Sequence, residues 1–502
     1  MKTYYDFMSE IKADELYDRL VSYGMFSEKL PSIFTGDLFL NYCKNICKQS
    51  FSDEWRGYIN YESMRNTNIP RNIGIPTPMG HELLCKTLMK HWTKLTKYFE
   101  TKTKGQPRII SRIHIRKIQD TKALFLMNYK NWIDDGTPEP DIYLGKRYMI
   151  HTDISKCYPS IYTHAIPWAL VGKDVAKNNI GKYKEWYNQI DHFAQISKNG
   201  ETHGLLIGPH TSNILSEIIL CAIDKELSKK YDSYIRNIDD YICYVDTKEE
   251  ADNFIIDLNR ELRKYDLLIN HKKTEIYELP ICVIETWIHK IQNHMVTFQK
   301  FKDYIDYREI QAFIDFIIKL VSENTDNNSV VLYAVKALKN FKLTKNAQEY
   351  LVKAIVSLSL LYPYLVPILG QYIFEKYKVD PNQIQKYANM IYEKYIQKNN
   401  YEACSFALLY AIDSNSKIDS IDVEIIKNSQ DCILMLMAFI YCKKNNLKSE
   451  VKQLKLYAKE LEKKGEIDQY WLFVYECLGK LTGEWGTMKK NKVSFLKSEY
   501  RF

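Results

Sequence analysis

Two adjacent carboxylates, Asp239 and Asp240, sit in a run rich in aliphatic and aromatic residues, Tyr234-Ile-Arg-Asn-Ile-Asp-Asp-Tyr-Ile-Cys-Tyr-Val245. The β-forming residues on either side predict a hairpin with buried strands and the two acids at its tip. Ionised carboxylates side by side repel, so the pair is best tolerated where a cation lies between it and a further acid. Asp153, closing the run Tyr148-Met-Ile-His-Thr-Asp153, is that acid. Magnesium takes oxygen ligands, commonly one or two carboxylates plus substrate phosphates. An acid on one strand facing two on a neighbouring hairpin therefore suits phosphoryl transfer. Taken singly, each half is unspecific: an Asp-Asp pair is commonly a solvated turn, and Asp153 could cap a helix.

The order of the surrounding blocks adds to this. After Asp153 comes His203-Gly-Leu-Leu-Ile-Gly-Pro-His-Thr-Ser-Asn213, a Gly-Pro loop running into an amphipathic helical pattern. The Asp-Asp hairpin follows, and then Leu267-Leu-Ile-Asn-His-Lys-Lys-Thr-Glu-Ile276. This succession resembles the palm of reverse transcriptases. The resemblance implies two magnesium ions, with manganese as substitute, held by Asp153, Asp239 and Asp240, with the Ile154 carbonyl as a further ligand. It makes Tyr158 the aromatic gate against a ribose 2′-hydroxyl, and Gly208 with Ser212-Asn213 the loop that shapes the nucleotide pocket. Lys273 becomes the lysine that protonates departing pyrophosphate, a role suited to an ammonium near developing negative charge. Without the resemblance, Tyr158 reads equally as a core tyrosine and Lys273 as a solvated one. Asn237 stands where the family usually has tyrosine in Tyr-x-Asp-Asp, and Ile207 where glutamine often precedes the loop glycine. Both departures bear on processive copying, and neither removes a metal ligand.

Upstream, Arg108-Ile-Ile-Ser-Arg112-Ile-His-Ile-Arg116-Lys117 alternates cations with isoleucines. A strand of period two would put Arg112, His114 and Arg116 on one face, where a polymerase's fingers meet a triphosphate; a solvated edge strand is the plainer alternative. Two further segments, Met64 to Pro78 and Asp468 to Glu476, look like those of the bacterial abortive-infection and defence-associated reverse transcriptases. That resemblance implies an α+β chain: right-hand fingers and palm over residues 1–300, then an all-α HEAT-like helical-repeat domain over residues 301–502. It also implies a DNA polymerase of antiphage defence in the bacterial cytoplasm. Such an enzyme would act on deoxynucleoside triphosphates, with a template or noncoding RNA, a DNA product and a homo-oligomeric state. In this family synthesis can begin on a protein hydroxyl; Tyr4, Tyr5 and Tyr500, near the chain ends, are the priming candidates among 39 tyrosines. The reading from another class is a catalytically degenerate palm serving as an RNA-binding scaffold. Burying three carboxylates argues against it, because a binding-only site gains nothing from that cost.

Length and composition agree with two large domains: 502 residues exceed what one hydrophobic core usually organises. No apolar run approaches membrane-spanning length, and no leader pattern opens the sequence. The 11 cysteines show no Cys-x-x-Cys pair, which suits a reducing compartment. A formal charge of +8 permits nucleic-acid binding without requiring it. From about residue 305 apolar stretches of period 3.6 follow one another: 310–321, 330–338, 347–361, 365–377, 384–396, 403–412, 432–442, 451–461 and 470–478. Short polar breaks between them predict antiparallel helical hairpins.

Overall fold

The computed structural model describes residues 3–47, 49–65, 69–106, 108–112, 115–117, 139–282, 285–299, 304–324 and 329–502. Helix α1 (Tyr4–Ser9) opens with a capping box in which Thr3 and Asp6 satisfy each other's backbone amides. In α2 (Ala13–Ser22), Leu16, Leu20 and Val21 face the core. Strands β1 (Tyr58–Met64) and β2 (Pro70–Pro76) pair antiparallel, with Tyr58 opposite Pro76 and Met64 opposite Pro70. Helices α3 (Pro78–Lys90) and α4 (Trp92–Thr103) follow, α3 starting on a proline whose missing amide costs nothing at that position.

Four antiparallel strands form the central sheet: β3 (Tyr148–Asp153), β4 (Tyr234–Asn237), β5 (Asp240–Val245) and β6 (Glu275–Glu278), in the order β4-β5-β3-β6. Between β3 and β4 runs α5 (His210–Leu227), buried along most of its length, and after β5 comes α6 (Lys248–Arg263). Phe254 of α6 packs against the Tyr234 ring of β4, while the Tyr234 hydroxyl donates to the Asp224 carbonyl of α5 at 3.0 Å. Both helices are thereby fixed to the sheet. The expected strand through Arg108–Lys117 is not found among the described residues. Only Ser111 bridges the sheet, parallel to Arg236, and Arg112 and Arg116 are buried. His114 lies outside the described residues.

Beyond Thr286 the regular elements of the described chain are all helical, with isolated bridges between Ile305 and Leu343 and from Leu496 to Phe34. Helices α7 (Tyr307–Glu323), α8 (Lys345–Ser359), α9 (Pro381–Ile396), α10 (Tyr401–Asp413), α11 (Cys432–Lys444), α12 (Lys448–Lys463) and α13 (Trp471–Cys477) realise most of the periodic stretches. The stretch expected as one helix over 365–377 is instead a 3-10 turn, Pro363–Ile368, followed by a π-helical turn, Gly370–Glu375. Pro367 cannot donate to the α-helical ladder, and a Cβ on Gly370 would meet the Tyr410 ring at 3.0 Å. Among the described residues no helix is long and apolar enough to cross a membrane.

The helical region closes back onto the first 80 residues. Trp471 and Phe495 pack with Phe26 and Phe39, Leu496 bridges Phe34, and Arg56 pairs with Glu484 at 2.5 Å. Glu402 of α10 is 3% exposed and accepts the Met64 amide of β1 at 2.7 Å. Burial pushes its carboxyl up from about 4.5 to about 7. Because the folded value is the higher one, the protonated form favours folding. The stability it contributes is full below pH 4.5 and is lost as pH rises through 7. Urea unfolding of the native chain and of Glu402→Gln should therefore show the native chain losing on the order of 3 kcal/mol relative to the variant across that window. A difference that does not change with pH would rule this out.

Candidate active site

The acids are placed by backbone pairing. Asp240 begins β5 and lies directly opposite Asp153, the last residue of β3, and opposite Asn237, the last of β4. The hairpin turn is Ile238-Asp239. Ile238 adopts φ +57°, a region that disfavours a β-branched side chain, so the turn persists only because its surroundings over-determine it. Two contacts do this: Arg236 Nη1 donates to the Ile238 carbonyl at 2.9 Å, and the Ile154 amide donates to the Asp239 carbonyl at 3.0 Å. Arg236 is fully buried. Its guanidinium also reaches Asp224 Oδ2 at 2.6 Å and Glu217 Oε1 at 3.0 Å, both on α5. Its own main chain exchanges hydrogen bonds with Ile110 and Arg112. Nothing in the reading of the sequence singled out this ion cluster, although a lone arginine inside an apolar strand was the available signal.

Lys273, in the short turn His271–Lys273, donates from Nζ to Asp153 Oδ2 at 2.8 Å, and this pairing raises its pKa. The Asn270 amide donates to the Asp153 carbonyl at 2.8 Å, strapping that turn to the end of β3. Burial, and then the neighbouring Asp240 charge, push Asp239 up to about 6; burial likewise raises Asp240. The charge of Arg71 on β2 weakly opposes the shift at Asp239. This arginine was quoted within a family-like segment but not nominated as a site residue.

Tyr158 lies on the turn Cys157–Ser160 and donates from its hydroxyl to Asn213 Oδ1 at 2.8 Å, while its carbonyl accepts the Leu205 amide at 2.8 Å. The Gly-Pro loop lies against β2: the Gly74 amide donates to the Ile207 carbonyl at 2.9 Å. Gly208 has φ +127°, and a Cβ there would meet Ile73 at 2.9 Å, so both conformation and space require glycine. Ser212 is buried in the first turn of α5. Asp153, Ile154, Asp239, Asp240 and Lys273 are thus brought together, with Tyr158 joined to the Ser212-Asn213 end of α5. Arg112 and Arg116 are buried: the Arg112 backbone amide donates to the Arg236 carbonyl of β4 at 2.8 Å, and the Arg116 guanidinium sits over the Phe7 ring at 5.6 Å. Tyr4 is no free end either, being 3% exposed with its hydroxyl donated to Glu217 at 3.1 Å. Tyr5 is half-buried, and Tyr500 donates to Asp413 at 2.8 Å.

Among the described residues no group of three or more His, Cys, Asp and Glu side chains is arranged to hold a metal ion. The acids nevertheless suit one. Asp153 Oδ1 is buried without a hydrogen-bond partner, and Asp239 and Asp240 are carboxylates held above their ordinary range. Uncompensated, acceptor-only oxygens are the donor set a hard divalent cation takes. When bound, such an ion would polarise phosphoryl oxygens and lower the pKa of an attacking hydroxyl.

Residues 84–298 match the family model described as reverse transcriptase (RNA-dependent DNA polymerase). The match takes in 215 of the 502 residues and makes them similar to a reverse transcriptase domain. The domain, which contains all three acids and Lys273, supports a nucleotidyltransferase that polymerises DNA. No curated protein matches the chain. Among solved structures, apo telomerase from Candida tropicalis is similar over 76% of this chain and 68% of that one. Its sequence identity is 12% and its TM-score 0.30, too loose a likeness to carry an argument.

The ion cluster behind the acid tip yields a direct expectation. Arg236→Met leaves Glu217 and Asp224 buried without a counter-charge and should cost about 3–5 kcal/mol in urea unfolding. Replacing all three with apolar residues of similar volume should recover most of that loss. Equal destabilisation of the single and triple variants would show that packing, not charge, is at stake.

Proposed function

We propose that this chain is a DNA polymerase of reverse-transcriptase type acting in bacterial antiphage defence, building DNA on an RNA template or without one. The observation that carries the reading is the register that sets Asp153 opposite Asp240 at the hairpin tip, with Lys273 bonded to Asp153. In this reading magnesium is held by Asp153, Asp239, Asp240 and the Ile154 carbonyl, manganese being a substitute. Tyr158, Gly208 and Ser212 bound the deoxynucleotide, and Lys273 hands a proton to pyrophosphate. Arg112 and Arg116, nominated to face the triphosphate, would have to leave their buried positions to meet it.

The division into fingers and palm over residues 1–300 and HEAT-like repeats over residues 301–502 belongs to the same proposal. It is supported by the run of helices α7 to α13. The defence assignment rests on the resemblance of the two segments 64–78 and 468–476, which meet where Trp471 Nε1 donates to the Ile75 carbonyl at 3.4 Å. A homo-oligomer located in the cytoplasm, and priming from Tyr5 or Tyr500, complete the reading. Tyr4 would have to leave the core to serve.

The test incubates the purified chain, with whatever nucleic acid accompanies it, with magnesium and each labelled deoxynucleotide. Products are then run with and without protease and ribonuclease. Incorporation should fall to background on chelation and in Asp239→Asn/Asp240→Asn, whose thermal midpoint should hold or rise because two half-buried like charges are gone. Label that migrates with protein until protease is added supports protein priming, and label that runs free removes it. No incorporation with any nucleotide would favour an RNA-binding scaffold.

A further inference from the structure

On the far helical part of the chain, α11 and α12 enclose a groove of about 480 Å³ that no part of the polymerase reading uses. It is lined by Lys443, Lys448, Lys452, Lys455 and Lys459, with Leu456 among the apolar residues between them, and no lining residue is acidic. Lys448, Lys452, Lys455 and Lys459 are exposed, and among the described residues none of the four is in an ion pair. They recur at steps of four, three and four residues, one face of α12 spanning about 16 Å at the helical rise. Like charges at that spacing destabilise a helix, and Lys448 and Lys452 stand in its first turns, where the helix dipole already contributes positive potential. An ordinary solvated face would intersperse carboxylates. This one concentrates uncompensated positive charge in a concavity.

We propose that this groove binds the phosphate backbone of a single nucleic-acid strand, remote from the Asp153–Asp239–Asp240 site. The choice of polyanion rests on the polymerase reading. It agrees with evenly repeated point charges beside exposed aliphatic side chains such as Leu456, which is 51% exposed and would take the faces of sugars and bases. An acidic peptide carries its charge less regularly and is the competing outcome.

The experiment measures binding of the full chain to a fluorescent single-stranded oligonucleotide, as DNA and as RNA, across a salt series without nucleotide or metal. The variant Lys448→Gln/Lys452→Gln/Lys455→Gln/Lys459→Gln should bind roughly tenfold or more weakly and lower the salt slope by about 3, near 0.7 per lost phosphate contact. Lys455→Gln alone should lower it by about 0.7, which keeps the test sound should the fourfold variant unfold. Lys386→Gln/Lys398→Gln, exposed lysines elsewhere, should change neither quantity. Asp239→Asn/Asp240→Asn should still bind, so a failed polymerase assay and a failed groove are told apart. An unchanged slope in the lysine variants would overturn the proposal. So would displacement of the strand by polyglutamate as readily as by unlabelled oligonucleotide at equal charge.

Discussion

Arg236 carries a full positive charge into the interior of the sheet, and Glu217 and Asp224 of α5 make its burial tolerable. An isolated charge there would be prohibitive, whereas a cation held by two carboxylates with several good hydrogen bonds can persist and fixes geometry while doing so. The same guanidinium holds the Ile238 carbonyl, and the same residue's backbone pairs with Ile110 and Arg112. One side chain therefore ties α5, the edge of the sheet and the strained turn into a unit. The position of Asp239 is a consequence of that unit together with the hydrogen bond its carbonyl accepts from the Ile154 amide.

At the tip the electrostatics run the other way. Behind the turn, two carboxylates share one cation; in front of it, Asp153, Asp239 and Asp240 converge, with Lys273 bonded to Asp153. Raised carboxyl pKa values on the hairpin mean that the fold bears the cost of burying these acids and, after it, of their mutual repulsion, which the ion cluster behind them must withstand. Such a cost is tolerable where a bound cation would remove it, and it is the usual mark of a site kept for chemistry at the expense of stability.

Much of this was legible in the sequence, for local reasons. Acids at the ends of apolar runs have few explanations, so Asp153 and the Asp239–Asp240 tip stood out, and β3, β4 and β5 fall where the patterns put them. Most of the period-3.6 stretches after residue 305 became α-helices because their apolar faces are long and their breaks polar. What escaped was non-local. Arg236 is one residue in an apolar strand, and its partners lie on a helix whose orientation no spacing reveals. Arg71 acts on Asp239 only because the β1–β2 hairpin folds toward the palm. The alternation around Arg112 and Arg116 looked like a strand, yet burial against β4 and Phe7 decided their place instead.

The β1–β2 hairpin also explains why the helical region matters to the site. Its residues are gripped from the C-terminal side: Glu402 holds the Met64 amide, Trp471 donates to Ile75, and Asp468 accepts the Gly57 amide at 2.8 Å. On its other face Gly74 is bonded to Ile207 and abuts Leu206 of the Gly-Pro loop. The hairpin is thus a layer between the helices and the loop that leads to Gly208 and Ser212, and it carries Arg71 toward Asp239. Close-packed layers transmit displacement instead of absorbing it. A shift of α10 or α13 would therefore displace the hairpin and, through the Gly74–Ile207 bond, the Gly-Pro loop that leads to Gly208 and Ser212.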